Sequence, residues 1–228
     1  MKPDIIYPLG RSFSQHRELK YSLRSLEKYA KDMFYRVIVV GELPEWWSKP
    51  EFHIPMKQDN TSVNGDQIAK ILRGCEEVPL GRWFVLMNDD FFLLDRPEWG
   101  IACVTRALTS NDNYHWRCME NTKMILGGMG VLDSSQHYEL HMPMPMTPSR
   151  FKLLSPYRDV AFRTLYGYMG HDAAQMVESD VKMRVKFQDP RQAFPGSWCF
   201  SIDDTVGYHK EFKEWAEKEY PNKSRWEK

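Results

Sequence analysis

A surplus of charge of either sign is the first thing this chain lacks. Its 31 Lys and Arg are matched by 31 Asp and Glu, so no net field draws it toward nucleic acid or an anionic membrane. No apolar run approaches the length of a membrane span. The opening "MKPDIIYPLG" is interrupted by a proline and an aspartate, and its apolar run is too short for a secretory signal. A soluble, cytoplasmic protein is the expectation. Cysteine is sparse: Cys75, Cys103, Cys118 and Cys199 contain no C-x-x-C pair, which argues against a zinc site and gives little support for a disulfide framework. Internal repeats, low-complexity tracts and flexible linkers are missing as well. One compact domain over residues 1–228 is therefore expected.

What is present is a core. Hydrophobic residues make up 42% of the chain, and 8 Trp, 11 Tyr and 12 Phe supply much of the bulk. Aromatic faces suit sugar rings and bases, but filling the core is the ordinary use of most of them. "DIIYPLG" (4–10) reads as a buried strand broken by Pro8 and Gly10. In residues 17–33 Leu19, Leu23, Leu26, Ala30 and Met33 fall on one helical face. "YRVIVVGE" (35–42) is a β-branched strand ended by glycine. Strand, helix and strand in this order predict a βαβ unit and a parallel sheet.

Further strands are expected at 52–57 and 82–90, with a helix over 62–77 between them. Residues 101–110 fit either a strand or a helix. A helix starts near 114 and ends in the glycines before 130. The three prolines of "HMPMPMTPS" (141–149) predict an irregular loop. A helix over 157–170, an edge strand over 181–187 and a charged helix over 209–220 complete the reading.

Chemistry concentrates in "VLMNDDFFLL" (85–94). Asp89 and Asp90 repel one another and are costly to bury unpaired, yet they stand between two greasy stretches, at the carboxyl end of a strand where open α/β sheets bind ligands. An acidic pair there suits Mg²⁺ or Mn²⁺, which take oxygen ligands and bridge to phosphates. The plain alternative is a solvated turn cap. His141 sits among prolines that would hold an imidazole stiffly near its working pKa; the alternative is a structural histidine. Arg158 and Arg163 are candidate phosphate clamps or surface ion-pair partners. Asn64 and Asp66 precede or open a helix and could simply cap it. "SIDD" (201–204) supplies a second acidic pair.

Together these segments resemble the Stealth family, sugar-phosphate transferases of bacterial capsule synthesis that include the lysosomal-targeting GlcNAc-1-phosphotransferase. "RELKYSLRSLEKYAKDMFYRVIVVGELPEWW" (17–47) is similar to that family's second conserved region, and the likeness runs through Asn64 to "FVLMNDDFFL" (84–93). "HMPMP" (141–145) and "RDVAF" (158–162) are similar to parts of its third region, and "CFSIDD" (199–204) to its fourth. The first region is reduced to "DIIYPLG".

The resemblance implies a GT-A-like, Rossmann-related sheet that binds a nucleotide sugar and is flanked by helices. It also implies a donor of the UDP-sugar type and a divalent cation, Mg²⁺ or Mn²⁺, held by Asp89, Asp90 and Asp204. By the same resemblance His141, Asp89 and Asp90 are catalytic, and Asp4, Arg11, Asn64, Asp66 and Arg158 contact the donor. The expected reaction moves a sugar phosphate, or a plain sugar, to an acceptor hydroxyl. The acceptor is expected to be a glycan or a small molecule rather than DNA. Two alternatives remain open at this stage. One is a phage-type glycosyltransferase acting on hydroxymethylated bases or a surface glycan; the other is an inactive sugar-binding protein.

Overall fold

The computed structural model describes residues 2–10, 16–48, 52–105, 113–131, 133–170, 175–177 and 180–228. It opens with β1 (Asp4–Leu9), α1 (Arg17–Ala30), β2 (Val37–Gly41), β3 (Phe52–Ile54), α2 (Val63–Glu77) and β4 (Phe84–Leu86). Then come β5 (Phe91–Leu93), β6 (Ala102–Thr105), α3 (Asn113–Gly128), β7 (Gln136–His137) and β8 (Met144–Met146). After these follow α4 (Pro148–Phe151), α5 (Phe162–Met169), β9 (Gln175–Met176), β10 (Lys182–Met183) and α6 (Pro190–Ala193). The chain closes with β11 (Cys199–Ile202), α7 (Asp204–Gly207) and α8 (Lys210–Glu219).

The central sheet has five strands in the order β3-β2-β1-β4-β8. β1 pairs in parallel with both β2 and β4, and β2 with β3, whereas β8 runs antiparallel to β4. Period-two alternation divides the core between its two faces. Ile6, Ile38, Val40 and Leu86 pack with Ile68 and Ile71 of α2 and with Phe151 and Phe162. Ile5, Tyr7, Val39 and Val85 face the other way, against Leu19, Leu23 and Leu26 of α1. Helices thus cover both faces, as a mostly parallel sheet requires. Two polar contacts fix α1 in register. Tyr7 and Ser22 share a hydroxyl hydrogen bond of 2.9 Å, and the Leu93 amide donates to Ser25 Oγ at 2.9 Å.

Two three-stranded sheets complete the architecture. In one, β11 joins β5 antiparallel and β10 parallel; in the other, β6 lies between β7 and β9. The first carries the chain on from the end of β4 through β5. Its apolar side, with Phe92, Phe200 and Ile202, rests on Phe212 and Ala216 of α8.

Three sequence expectations change. Part of "HMPMPMTPS" is not irregular: Met144, Pro145 and Met146 pair with Leu86, Val85 and Phe84 as an edge strand, and α4 follows directly. An edge tolerates a proline, and the alternation buries Met144 and Met146. The helix expected over 157–170 begins only at Phe162. Residues 101–110, left open between strand and helix, form β6 at 102–105; the remainder lies outside the described residues.

Candidate active site

β4 stops at Leu86, although the Met87 amide still reaches Ile6 O at 2.9 Å. The chain then turns back, with the Phe91 amide donating to Asn88 O at 3.2 Å, and β5 leaves toward the second sheet. Asn88, Asp89 and Asp90 form the turn between two fully buried strands. Hydrophobic sequence on both sides of a charge pair is therefore the signature of a strand that switches sheets at its carboxyl end. The carboxylates emerge where the sheet opens.

The two carboxylates differ in their surroundings. Burial, followed by repulsion from Asp90, Glu18 and Asp204, pushes the Asp89 carboxyl up to about 7. Since 38% of its side chain is open to water, screening softens that rise and the direction is what matters. Burial also raises Asp90, while Lys182, His141 and Arg163 oppose it with positive charge. Lys182 Nζ stands 3.8 Å from Asp90 Oδ2. Asp90 Oδ1 is buried with no hydrogen-bond partner among the described residues. His16 Nδ1 lies 4.0 Å from Asp89 Oδ2. His16 takes the left-handed φ of 55° just before α1, a conformation unusual outside glycine.

His141 lies near the acidic turn, close enough to act on Asp90 electrostatically. Its Nδ1 lies 2.7 Å from Asp180 Oδ2 and its amide donates to Asp180 Oδ1 at 2.9 Å. Arg184 adds a third contact, Nη2 to Oδ2 at 3.1 Å. Burial works to raise the Asp180 carboxyl, but the His141 hydrogen bonds and charge and the Arg184 charge outweigh it, holding it at about 2. An ionised carboxylate only accepts, so Nδ1 carries a hydrogen toward Asp180, and whenever the ring is neutral its lone pair is on Nε2. That is the tautomer a general base needs.

Arg163 joins the two halves. Its guanidinium donates to Asn88 Oδ1 at 3.3 Å and to Met142 O at 3.0 Å, and it lies over the Phe91 ring at 5.3 Å. Asp204, the first residue of α7, is close enough to act on Asp89 electrostatically. Asp203 caps that helix through Thr205 N.

The other expected residues stand apart. Asp4 is corrected outright: it opens β1 opposite Phe84, at the end of the sheet away from Asp89. There it is buried and paired with Arg36 at 2.8 Å. Asn64, Asp66 and Arg158 lie at the correct end of the sheet, near the start of α2, but brace one another's loops. Asn64 Nδ2 donates to Val160 O at 2.6 Å, Asp66 is paired with the buried Lys70, and Arg158 binds Asp59 and Thr61. None of these contacts involves the acidic turn. Arg11 lies outside the described residues. A cavity of about 380 Å³ beside Tyr157 and Arg158, and one of about 290 Å³ between Trp83, Trp99 and Tyr166, also miss the acidic pair and His141.

Asp180, Lys182, Glu18 and His16 were not singled out in the sequence. A signal existed for the first two: an acid just before and a lysine within the alternating stretch 181–187 mark that strand, as Asp89 and Asp90 follow another. Among the described residues no group of three or more His, Cys, Asp or Glu is spaced to hold a metal ion by itself.

No protein-family model matches the chain, and no curated protein is similar to it in sequence. Solved structures do resemble it. Galactosyltransferase LgtC, in complex with donor and acceptor sugar analogs, superposes with a TM-score of 0.50 at 11% identity, over 95% of this chain and 93% of its own. The inositol-1-phosphate CTP transferase of T. maritima gives 0.50 at 10% identity, over 96% of each chain. At such identities the likeness is one of fold: the chain has a GT-A-like α/β sheet flanked by helices.

Proposed function

We propose that this chain is a metal-dependent transferase, formed as one domain, that uses a nucleotide-activated sugar of the UDP-sugar type and delivers sugar phosphate or sugar to an acceptor hydroxyl. The observation that carries the reading is a carboxylate-held histidine close to an acidic pair at the carboxyl end of β4. Asp180 orients the His141 ring through Nδ1, and His141 is close enough to act on Asp90 electrostatically. The fold shared with a galactosyltransferase and a CTP transferase supports it as analogy.

The residues fit a hard cation in one respect, the buried and unsatisfied Asp90 Oδ1. Asp89 and Asp90, with Asp204 nearby, would hold Mg²⁺ or Mn²⁺, and phosphate oxygens and water would complete the coordination. When bound, the cation supplies charge neutralisation for the diphosphate. In this reading His141 Nε2 takes the proton of the acceptor hydroxyl, and Asp180 stabilises the imidazolium that forms. Lys182, held beside Asp90, faces the negative charge that develops on the leaving oxygen. If the hydroxyl attacks the phosphorus next to the sugar, sugar phosphate moves and a nucleoside monophosphate leaves. If it attacks the anomeric carbon, the sugar alone moves and a nucleoside diphosphate leaves.

Incubation with a panel of nucleotide sugars and Mn²⁺, followed by mass spectrometry and phosphorus NMR, tests this. The expected result is turnover of at least one donor, and the released nucleotide reports which bond breaks. Absence of turnover together with absence of Mn²⁺-dependent UDP binding would overturn the reading. The acceptor is placed among glycans or small molecules because the formal charge is zero. Tight, steeply salt-dependent binding of duplex DNA would move it to DNA. Among the described residues no helix is long and apolar enough to cross a membrane, in keeping with the proposed cytoplasmic site of action.

A further inference from the structure

The base and the acidic pair lie on different loops, 139–142 and 88–90, and a reaction between them requires a fixed spacing. Both loops converge on the first turn of α5. The Tyr138 amide donates to Thr164 Oγ1 at 3.2 Å, and the Thr164 amide donates back to Glu139 Oε1 at 3.0 Å. Glu139 thus satisfies an amide that the helix start would leave open. From the same turn Arg163 sends one nitrogen to Met142 O and the other to Asn88 Oδ1. Only 4% of Arg163 is exposed. A guanidinium this deep is a rigid, planar fork, and its two bonds span the two loops. Glu139 faces it with the compensating charge.

The geometry points to Arg163 as a positioning residue that, latched by Glu139, sets the distance between His141 and the Asp89–Asp90 turn. The inference rests on the transferase reading and deepens it. It assigns no contact with substrate to Arg163. Its effect runs through Met142, next to His141, and Asn88, next to Asp89. Displacing reacting groups by about an ångström costs on the order of a hundredfold in rate, so loss of the fork should appear in turnover more than in donor affinity.

The experiment uses the full chain, the donor turned over best by wild type and Mn²⁺, at a temperature well below unfolding. Arg163→Ala should lower kcat about a hundredfold while donor KM stays within about threefold. Added guanidinium ion should restore at least about tenfold of the loss, whereas methylammonium, which lacks the planar fork, should not. A merely structural role would lower Tm without selective rescue of kcat. Arg163→Ala also removes the positive charge that faces Glu139, so Glu139→Gln, which keeps the acceptor oxygen and removes the charge, provides a second reading and should show the same kcat-only loss at smaller size. Unchanged kcat per folded molecule in both variants, or a loss carried by KM, overturns the inference and leaves the transferase reading standing. Failure of wild type to turn over any donor removes that reading and the inference with it.

Discussion

Asp180 holds His141 twice, by the backbone amide at 2.9 Å and by the ring Nδ1 at 2.7 Å. A single carboxylate thereby sets the position of the loop, the orientation of the imidazole and the ring nitrogen that keeps its lone pair. Replacing it by an amide retains the shape and loses the charge. Asp180→Asn should reduce turnover by at least about a hundredfold with UDP affinity unchanged, as measured by donor turnover and calorimetry on the same preparation. Equal activity in the variant would show that Asp180 only braces the loop.

His141→Ala removes the proton acceptor itself. Turnover should fall about a hundredfold or more while donor binding stays near wild type. A loss of UDP affinity matching the loss of turnover would instead mark His141 as a donor-binding residue. In that case the base would be sought among Asp66, Asp203 and Asp204. The structure makes Asp66 a poor replacement, since the buried Lys70 already neutralises it.

Asp89→Asn and Asp90→Asn should each leave the fold intact, because they relieve repulsion between crowded carboxylates rather than remove packing. Mn²⁺-dependent UDP binding should weaken by more than about tenfold in each, an oxyanion ligand having become a neutral amide. Titration calorimetry with and without EDTA measures this directly. Indifference to both substitutions and to EDTA would make the acidic pair structural.

Glu219 provides a test of stability away from the site. Lys28 and Arg191 meet its carboxylate at 2.7 and 3.0 Å, and Tyr29 donates to it as well. Burial alone would raise this carboxyl, but Arg191, Lys28 and Tyr29 outweigh it and hold it at about 2. A folded-state pKa below the unfolded one contributes stability above the unfolded value, about 4.3, and loses it as pH falls toward the folded value. Glu219→Gln should therefore unfold about 2–4 °C below wild type at pH 7, for a loss near 1 kcal/mol. The gap should close between pH 5 and about 2, and thermal melts across that range follow it. A constant gap would mean that the ion network contributes nothing through charge.

Much of the parallel half of the fold is legible in the sequence because its signals are local. The leucines of α1, the β-branched run of β2 and the apolar stretch before Asp89 each report on their own segment, whereas the cap of α2, considered for Asn64 and Asp66, is Ser62 through Gly65 N. The edge strand β8 is different. Its pairing with β4 is a tertiary choice, and three prolines in nine residues mask an alternation of buried methionines. The site divides in the same way. Asp89, Asp90 and His141 announce themselves by chemistry in an apolar or proline-rich setting. Asp180 becomes important only when folding brings it to a histidine 39 residues away, and Lys182 only when β10 and β11 place it beside Asp90. Asp4 shows the opposite failure, a carboxylate on the correct strand at the wrong end.

Pro145 has a bearing on how this molecule meets its own kind. It occupies the middle of β8, the outermost strand on that side of the central sheet. An open strand edge is a template on which a further polypeptide can add, and from there sheets polymerise. A proline in a three-residue strand has no N–H to offer an incoming neighbour. The border beside the histidine loop is therefore blunted against edge-to-edge aggregation. At the opposite border β3 is only 3 residues long, too short to seed much growth. The proline that sequence alone marks as a loop residue thus also guards the sheet against runaway self-assembly.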